Sequence, residues 1–121
     1  MMAKEREIQF DLVGRALADP TRRKLLRLVR DEQRAAGELA TYFPTISRPA
    51  VSQHLGVLHD AGLVTVSPQG NHRMYRARAE GLSAMSEFID EMWTDSLARL
   101  KRAAESAELA RFSPTQQRRS Q

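Results

Sequence analysis

The sequence predicts a mainly α domain with one small β-hairpin. Three observations carry that expectation. Through most of the chain, apolar residues recur at spacings of three and four, the period of an amphipathic helix. Two short runs, near 63–67 and 73–78, alternate with period two on either side of the turn-forming Ser67-Pro68-Gln69-Gly70-Asn71. Helix boundaries are marked at Asp19-Pro20, at Ser47 and at Gly62. At 121 residues the chain is long enough for one domain and too short for two comfortable ones.

Glu5 to Ala18 reads as the first helix. Ile8, Leu12 and Ala16 form one apolar row, and Phe10, Val13 and Leu17 a second. A stripe that wide on a small domain is expected to pack on its own core and on something else. Asp19 is the expected N-cap of the next helix, with Pro20 at the first helical position. That helix, TRRKLLRLVR, turns Leu25, Leu28 and Val29 inward and keeps Arg22, Arg23, Lys24, Arg27 and Arg30 outside. Arg22 and Arg23 lie at its N-terminal end, where the helix dipole disfavours cations. An external anion such as a phosphate would account for them, as would solvation or pairing with Asp31 and Glu32. A short polar link with Gln33 and Arg34 follows, then a short helix from Ala36 to Tyr42 with Leu39 and Ala40 against the core.

Ser47 is the expected N-cap of the next helix and Pro49 sits in its first turn, where a missing N–H costs little. Gly62 after Ala61 is the expected left-handed stop. Val51, Leu55 and Leu58, spaced i, i+4 and i+7, share one face. Arg48, Pro49, Ser52, Gln53 and Gly56 fall on other faces. A well-anchored helix with small, polar and basic residues outward suits a DNA major groove. A two-helix hairpin of another function would share the periodicity. A protein-binding version would carry an apolar outer face where this one has Ser52 and Gln53.

In the first strand Val64 and Val66 share one face, Thr65 and Ser67 the other. In the second, Tyr75 and Ala77 point inward and Met74, Arg76 and Arg78 outward. His72, Arg73 and Arg76 distribute donors and positive charge along this hairpin. Backbone phosphates beside a groove are their natural target, unless the arginines only keep a sheet edge soluble.

Glu80 to Arg111 is the longest helical pattern, with Leu82, Met85, Ile89, Met92, Trp93, Leu97, Leu100 and Ala104 at spacings of three and four. Thirty-odd helical residues span about 45 Å, more than one small domain covers. A two-fold partner presenting the same helix is the economical way to bury the excess, with Trp93 at the contact; a tryptophan in its own subunit's core is the alternative. The expected domain therefore runs over 1–112. Residues 113–121, with Pro114, Arg118 and Arg119, read as a flexible basic tail.

Composition narrows the function. The net charge is +4, with residues 1–78 at +5 and residues 79–121 at −1, so the positive excess lies with the expected reading head. There is no cysteine, which excludes disulfides and thiolate metal sites. The N-terminus MMAKEREIQF lacks an apolar run of signal-peptide length, and no stretch approaches about 18 apolar residues. A cytoplasmic protein without a membrane partner is expected. No metal site is expected either. His54 and His59 diverge by about 140° on one helix, and the remaining histidine is His72. Glu87, Glu91 and Asp95 form an acidic row that reads as a solvated face or a partner for a neighbour's basic groups; carboxylates alone could also hold a hard cation weakly. The sequence has no glycine-rich phosphate loop and no cysteine nucleophile, and Ser52 and His54 point to different sides of their helix. An enzyme is not expected, and no cofactor.

ELA, ISRPAVSQHLGVLHDAGLV and GNHRMYRA, preceded by ALADPTRRKLL, together resemble the winged helix-turn-helix of the ArsR-type bacterial repressors. The resemblance runs from about Ala16 to about Leu100. TYFPT is about one residue longer than the usual turn, and the cysteine ligands of many metal-sensing members are absent, as are histidines in the long helix. The resemblance implies that SRPAVSQHL is the recognition helix. It also implies a homodimer, joined through the N- and C-terminal helices, that represses promoters. On this reading Arg48, Ser52 and Gln53 meet base edges. Arg22, Arg23, Ser47, His72, Arg73 and Arg76 hold the DNA backbone. Ile8, Leu12, Met85, Ile89, Met92, Trp93, Leu97 and Leu100 form the dimer interface. Two-fold symmetry implies a palindromic operator on double-stranded DNA. The releasing signal is not legible; an unidentified small-molecule effector, or none, fits the sequence equally.

Overall fold

The computed structural model describes residues 2–111, so the expected basic tail at 113–121 lies outside the described residues. The element order is α1 (Met2–Leu17), α2 (Pro20–Leu28), β1 (Arg34–Ala35), α3 (Ala36–Ala40), α4 (Arg48–Asp60), β2 (Val64–Gln69) and β3 (His72–Ala77). A 3₁₀ turn at Ala79–Leu82 then leads into α5 (Ser83–Arg111). Among the described residues, those up to 86 form one compact unit and 87–111 belong to a second. In the first, helices pack around a small antiparallel sheet of order β1-β3-β2.

The helix boundaries follow their local chemistry. Asp19 caps α2, its carboxylate accepting from the N–H groups of Thr21 at 2.8 Å and Arg22 at 3.2 Å. Ser47 caps α4, its hydroxyl oxygen accepting from Ala50 N–H at 3.2 Å, with Pro49 in the first turn. Ile46 and Val51 occupy the positions of a hydrophobic staple around that cap. Gly62 ends the helix at φ 76°, a left-handed conformation that costs glycine little.

The core draws on every layer of this unit. Val13 and Ala16 come from α1, Leu25 from α2 with Val29 just beyond it, Leu39 from α3, and Val51, Leu55 and Leu58 from α4. Leu63, Val64 and Tyr75 complete it from the sheet side, and Phe43 from the α3–α4 turn. From the first row on α1, Ala16 is buried, whereas Ile8 is 54% and Leu12 37% exposed.

Three local expectations need correction. The sheet has three strands, because Arg34 and Ala35 pair with Tyr75 and Met74 where a polar link was expected. Two residues are too few to show alternation, so β1 is invisible to a period-two search. α3 ends at Ala40 instead of Tyr42; Tyr42 and Phe43 lie in the turn, where Phe43 drops into the core. The hairpin turn is tighter than SPQGN suggested. Pro68 and Gln69 pair with Arg73 and His72, leaving Gly70 (φ 62°) and Asn71 as the loop. Pro68 is tolerated there because β2 is an edge strand and needs no N–H on its outer side.

In the second unit α5 continues as a helix with no buried residue. Phe88, Ile89, Met92, Trp93, Leu97 and Leu100 are exposed, Trp93 by 54% and Leu100 by 62%. Trp93 is therefore not a core residue of this chain. Among the described residues no helix is long and apolar enough to cross a membrane.

Candidate nucleic-acid interface

α4 is anchored on one side and open on the other. Leu55 and Leu58 are fully buried and Val51 almost so, whereas Arg48, Ser52 and Gln53 are exposed. Those three side chains make no hydrogen bonds among the described residues, so their donors and acceptors are free for a ligand. The first turn of α4 holds no acidic residue, which leaves its positive dipole end unopposed. The Arg48 guanidinium lies against Gly37 of α3: a methyl group built there would stand 2.7 Å from Arg48 Nη2.

Other side chains fix the direction of α4. Gln9 of α1 donates from Nε2 to Ala61 O at 2.7 Å, holding a carbonyl at the end of the helix. Lys24 donates to Tyr42 O at 3.3 Å and stands 4.9 Å from the Phe43 ring centroid, fastening α2 to the turn before α4. Arg34 donates to Leu28 O at 2.7 Å and Glu38 Oε2 at 2.8 Å, and pairs with Glu32 at 3.1 Å. The hydrogen bond with Glu38 leads the causes that raise its pKa above the ordinary guanidinium value. None of these roles shows in a sequence pattern, because each joins residues on different elements or in a turn.

Arg22 has a different place from the one its sequence position suggested. Its Nε donates to Ala16 O at 2.7 Å and its Nη2 to Arg15 O at 2.9 Å. Nη1 lies 3.1 Å from His54 Nδ1 and 3.8 Å from Asp19 Oδ2. A guanidinium cannot accept a hydrogen bond, so only a neutral His54, with its proton on Nε2, accepts this one at Nδ1. Arg22 thus ties α1, α2 and α4 together, and its donors are already directed inward. Desolvation pushes the Asp19 carboxyl up, but the N–H groups of Arg22 and Thr21, with the His54 and Arg22 charges, outweigh it; the net shift is downward. Arg23 is exposed and donates from Nη1 to Leu17 O at 2.8 Å.

His72, Arg73 and Arg76 are all exposed on β3. Strand alternation puts His72 and Arg76 on one face of the hairpin, and Arg73 on the face it shares with buried Tyr75. The hairpin therefore offers positive charge from both sides, not as one row. Near its base Arg30 pairs with Asp31 at 3.1 Å. The hydrogen bond from Arg30 holds the Asp31 carboxyl below its usual range, with a smaller contribution from the charge of Arg76.

Among the remaining expected interface positions, Met85 is half-buried against the core of its own unit. The others, from Ile8 to Leu100, are exposed. Among the described residues, no three His, Asp or Glu side chains stand close enough to share a metal ion.

The family model described as "Bacterial regulatory protein, arsR family" matches residues 19–66, from the α2 cap into β2. The HTH-type transcriptional regulator Rv2034 of Mycobacterium tuberculosis is 45% identical over 87 residues, covering 72% of this chain and 80% of that protein. The transcriptional repressor SdpR of Bacillus subtilis is 38% identical over 83 residues, covering 65% and 91%. The structure of an ArsR-like transcriptional regulator from Rhodococcus sp. RHA1 superposes with a TM-score of 0.63 at 33% identity, covering 81% and 94%. A buried-inside, polar-outside helix beside a β-hairpin wing, with relatives of this closeness over nearly their whole length, places the chain in the ArsR family of bacterial winged helix-turn-helix regulators.

Proposed function

We propose that this ArsR-family protein is a homodimeric repressor that binds a palindromic operator through two copies of α4. The observation that carries the reading is the free Arg48–Ser52–Gln53 surface, on a helix whose opposite side is locked into the core. Gln53 has the amide geometry for a bidentate pair with adenine, and Arg48 for guanine or a phosphate. Ser52 adds a small hydroxyl between them. Arg23, Ser47, His72, Arg73 and Arg76 hold the backbone, which sets affinity and register but carries no sequence information. Arg22 leaves this group, since its hydrogen bonds support it as a brace behind α4. Repression is supported by the name of the SdpR relative.

Pairing of two chains is supported by the apolar surface left open. Ile8 and Leu12 on α1, with Ile89, Met92, Trp93, Leu97 and Leu100 on α5, want cover that the described residues do not supply. A footprint on the DNA upstream of the protein's own gene tests the reading. Two protected half-sites, about one helical turn or a multiple apart, are expected. The same protection with and without divalent metal is expected too. Uniform, sequence-independent protection would overturn it.

A further inference from the structure

On the side of the first unit where α2 meets the base of the wing there is a cavity of about 430 Å³. This lies within the size range of small-molecule sites. Its apolar walls include Leu17, Leu26, Leu63 and Leu82, and four arginines stand in its lining: Arg23, Arg27, Arg30 and Arg78. No acidic side chain lines it. Three of the arginines are engaged. Arg23 donates to Leu17 O, Arg78 to Gly62 O, and Arg30 pairs with Asp31. Arg27 makes no hydrogen bond or ion pair among the described residues. The cavity therefore combines an apolar interior, an excess of positive charge and one uncommitted guanidinium.

We propose that this cavity binds a small organic carboxylate with an apolar body, its chain against Leu26, Leu63 and Leu82 and its carboxylate on Arg27. Charge complementarity selects this ligand class. A neutral hydrocarbon would leave the arginines unanswered, and an inorganic anion would leave the apolar walls wet. The position bears on the DNA-binding elements. Ala77 N–H donates to Val29 O at 2.9 Å and Arg78 N–H to Leu63 O at 2.8 Å, so the cavity adjoins the joint between α2, the end of α4 and the wing. That consequence rests on the DNA-binding reading; the binding itself does not, and is measured without DNA.

The test is calorimetric titration of the full chain with decanoate below its aggregation threshold, with decanol as the uncharged control. Saturable binding of one decanoate per chain is expected, with decanol at least about tenfold weaker. Arg27→Gln is expected to cost decanoate about tenfold and leave decanol unchanged. Ala79→Trp, at an exposed lining position, plugs the cavity without touching the core and is expected to abolish both. Circular dichroism checks that each variant folds. Absence of saturable binding, equal affinity for decanoate and decanol, or binding that survives Ala79→Trp would overturn the proposal. So would a drop in oligomeric state on Ala79→Trp, which would assign the cavity to a second copy of the chain.

Discussion

On the proposed mode of DNA binding, Gln53 separates recognition from stability. Its amide is exposed and makes no hydrogen bond among the described residues, so removing it disturbs no core packing. Gln53→Ala is therefore expected to leave stability unchanged and relax base preference at one position of each half-site by about 1–3 kcal/mol. Competition between operator and randomised duplexes checks this; equal losses on both would remove Gln53 from base readout. Asp19 is the opposite kind of residue, with a wholly structural role. Its folded-state pKa is depressed, so its contribution is present above the ordinary value of 3.8 and fades as pH falls through the folded value. Asp19→Ala is expected to cost about 1 kcal/mol at neutral pH, with the gap narrowing in acid. Urea unfolding at several pH values measures it, and a pH-independent gap would contradict the linkage. The Asp19 cap and the exposed position of Gln53 were legible in the sequence because caps and helix faces are local. Arg22 was not. Its partner His54 lies 32 positions away, and only folding brings them to 3.1 Å.

At the scale of elements, the join between the wing and α5 depends on backbones touching. A methyl group on Gly81 would lie 2.1 Å from Gly62 O and 2.8 Å from Gly62 C, against backbone that cannot rotate aside. Gly81→Ala is expected to destabilise the fold by about 1–3 kcal/mol, in the manner of an overpacked core. A thermal melt unchanged from the parent would refute that close approach. The wing makes a different prediction. Arg76 is exposed and its guanidinium makes no hydrogen bond among the described residues, so Arg76→Ala is expected to weaken binding to all duplexes alike and lower the salt slope by about one unit. An unchanged slope would take Arg76 off the phosphate backbone. Hairpin, recognition helix and long helix were all readable from periodicity, and α2 from its Asp-Pro boundary. β1 was not, since two residues have no period, and neither was the Phe43 turn, where burial comes without regular structure.

At the scale of the molecule, the proposed mode of DNA binding requires two chains. One chain buries its core within the first unit, yet carries a long helix with an apolar row and no buried residue. The sequence showed the excess length of that helix but not how much of it the chain would cover for itself; Met85 was expected at the partner and lies half-buried against its own core. The claim that matters most is that paired chains present both copies of α4 to one duplex. Sedimentation equilibrium of the protein on an operator-length duplex tests it directly, with Leu97→Lys as the control. The account predicts a complex mass of two chains per duplex, falling to weak single-chain binding when Leu97→Lys puts a charge into the expected interface. A parent complex of one chain per duplex, with Leu97→Lys indistinguishable from it, would contradict the account.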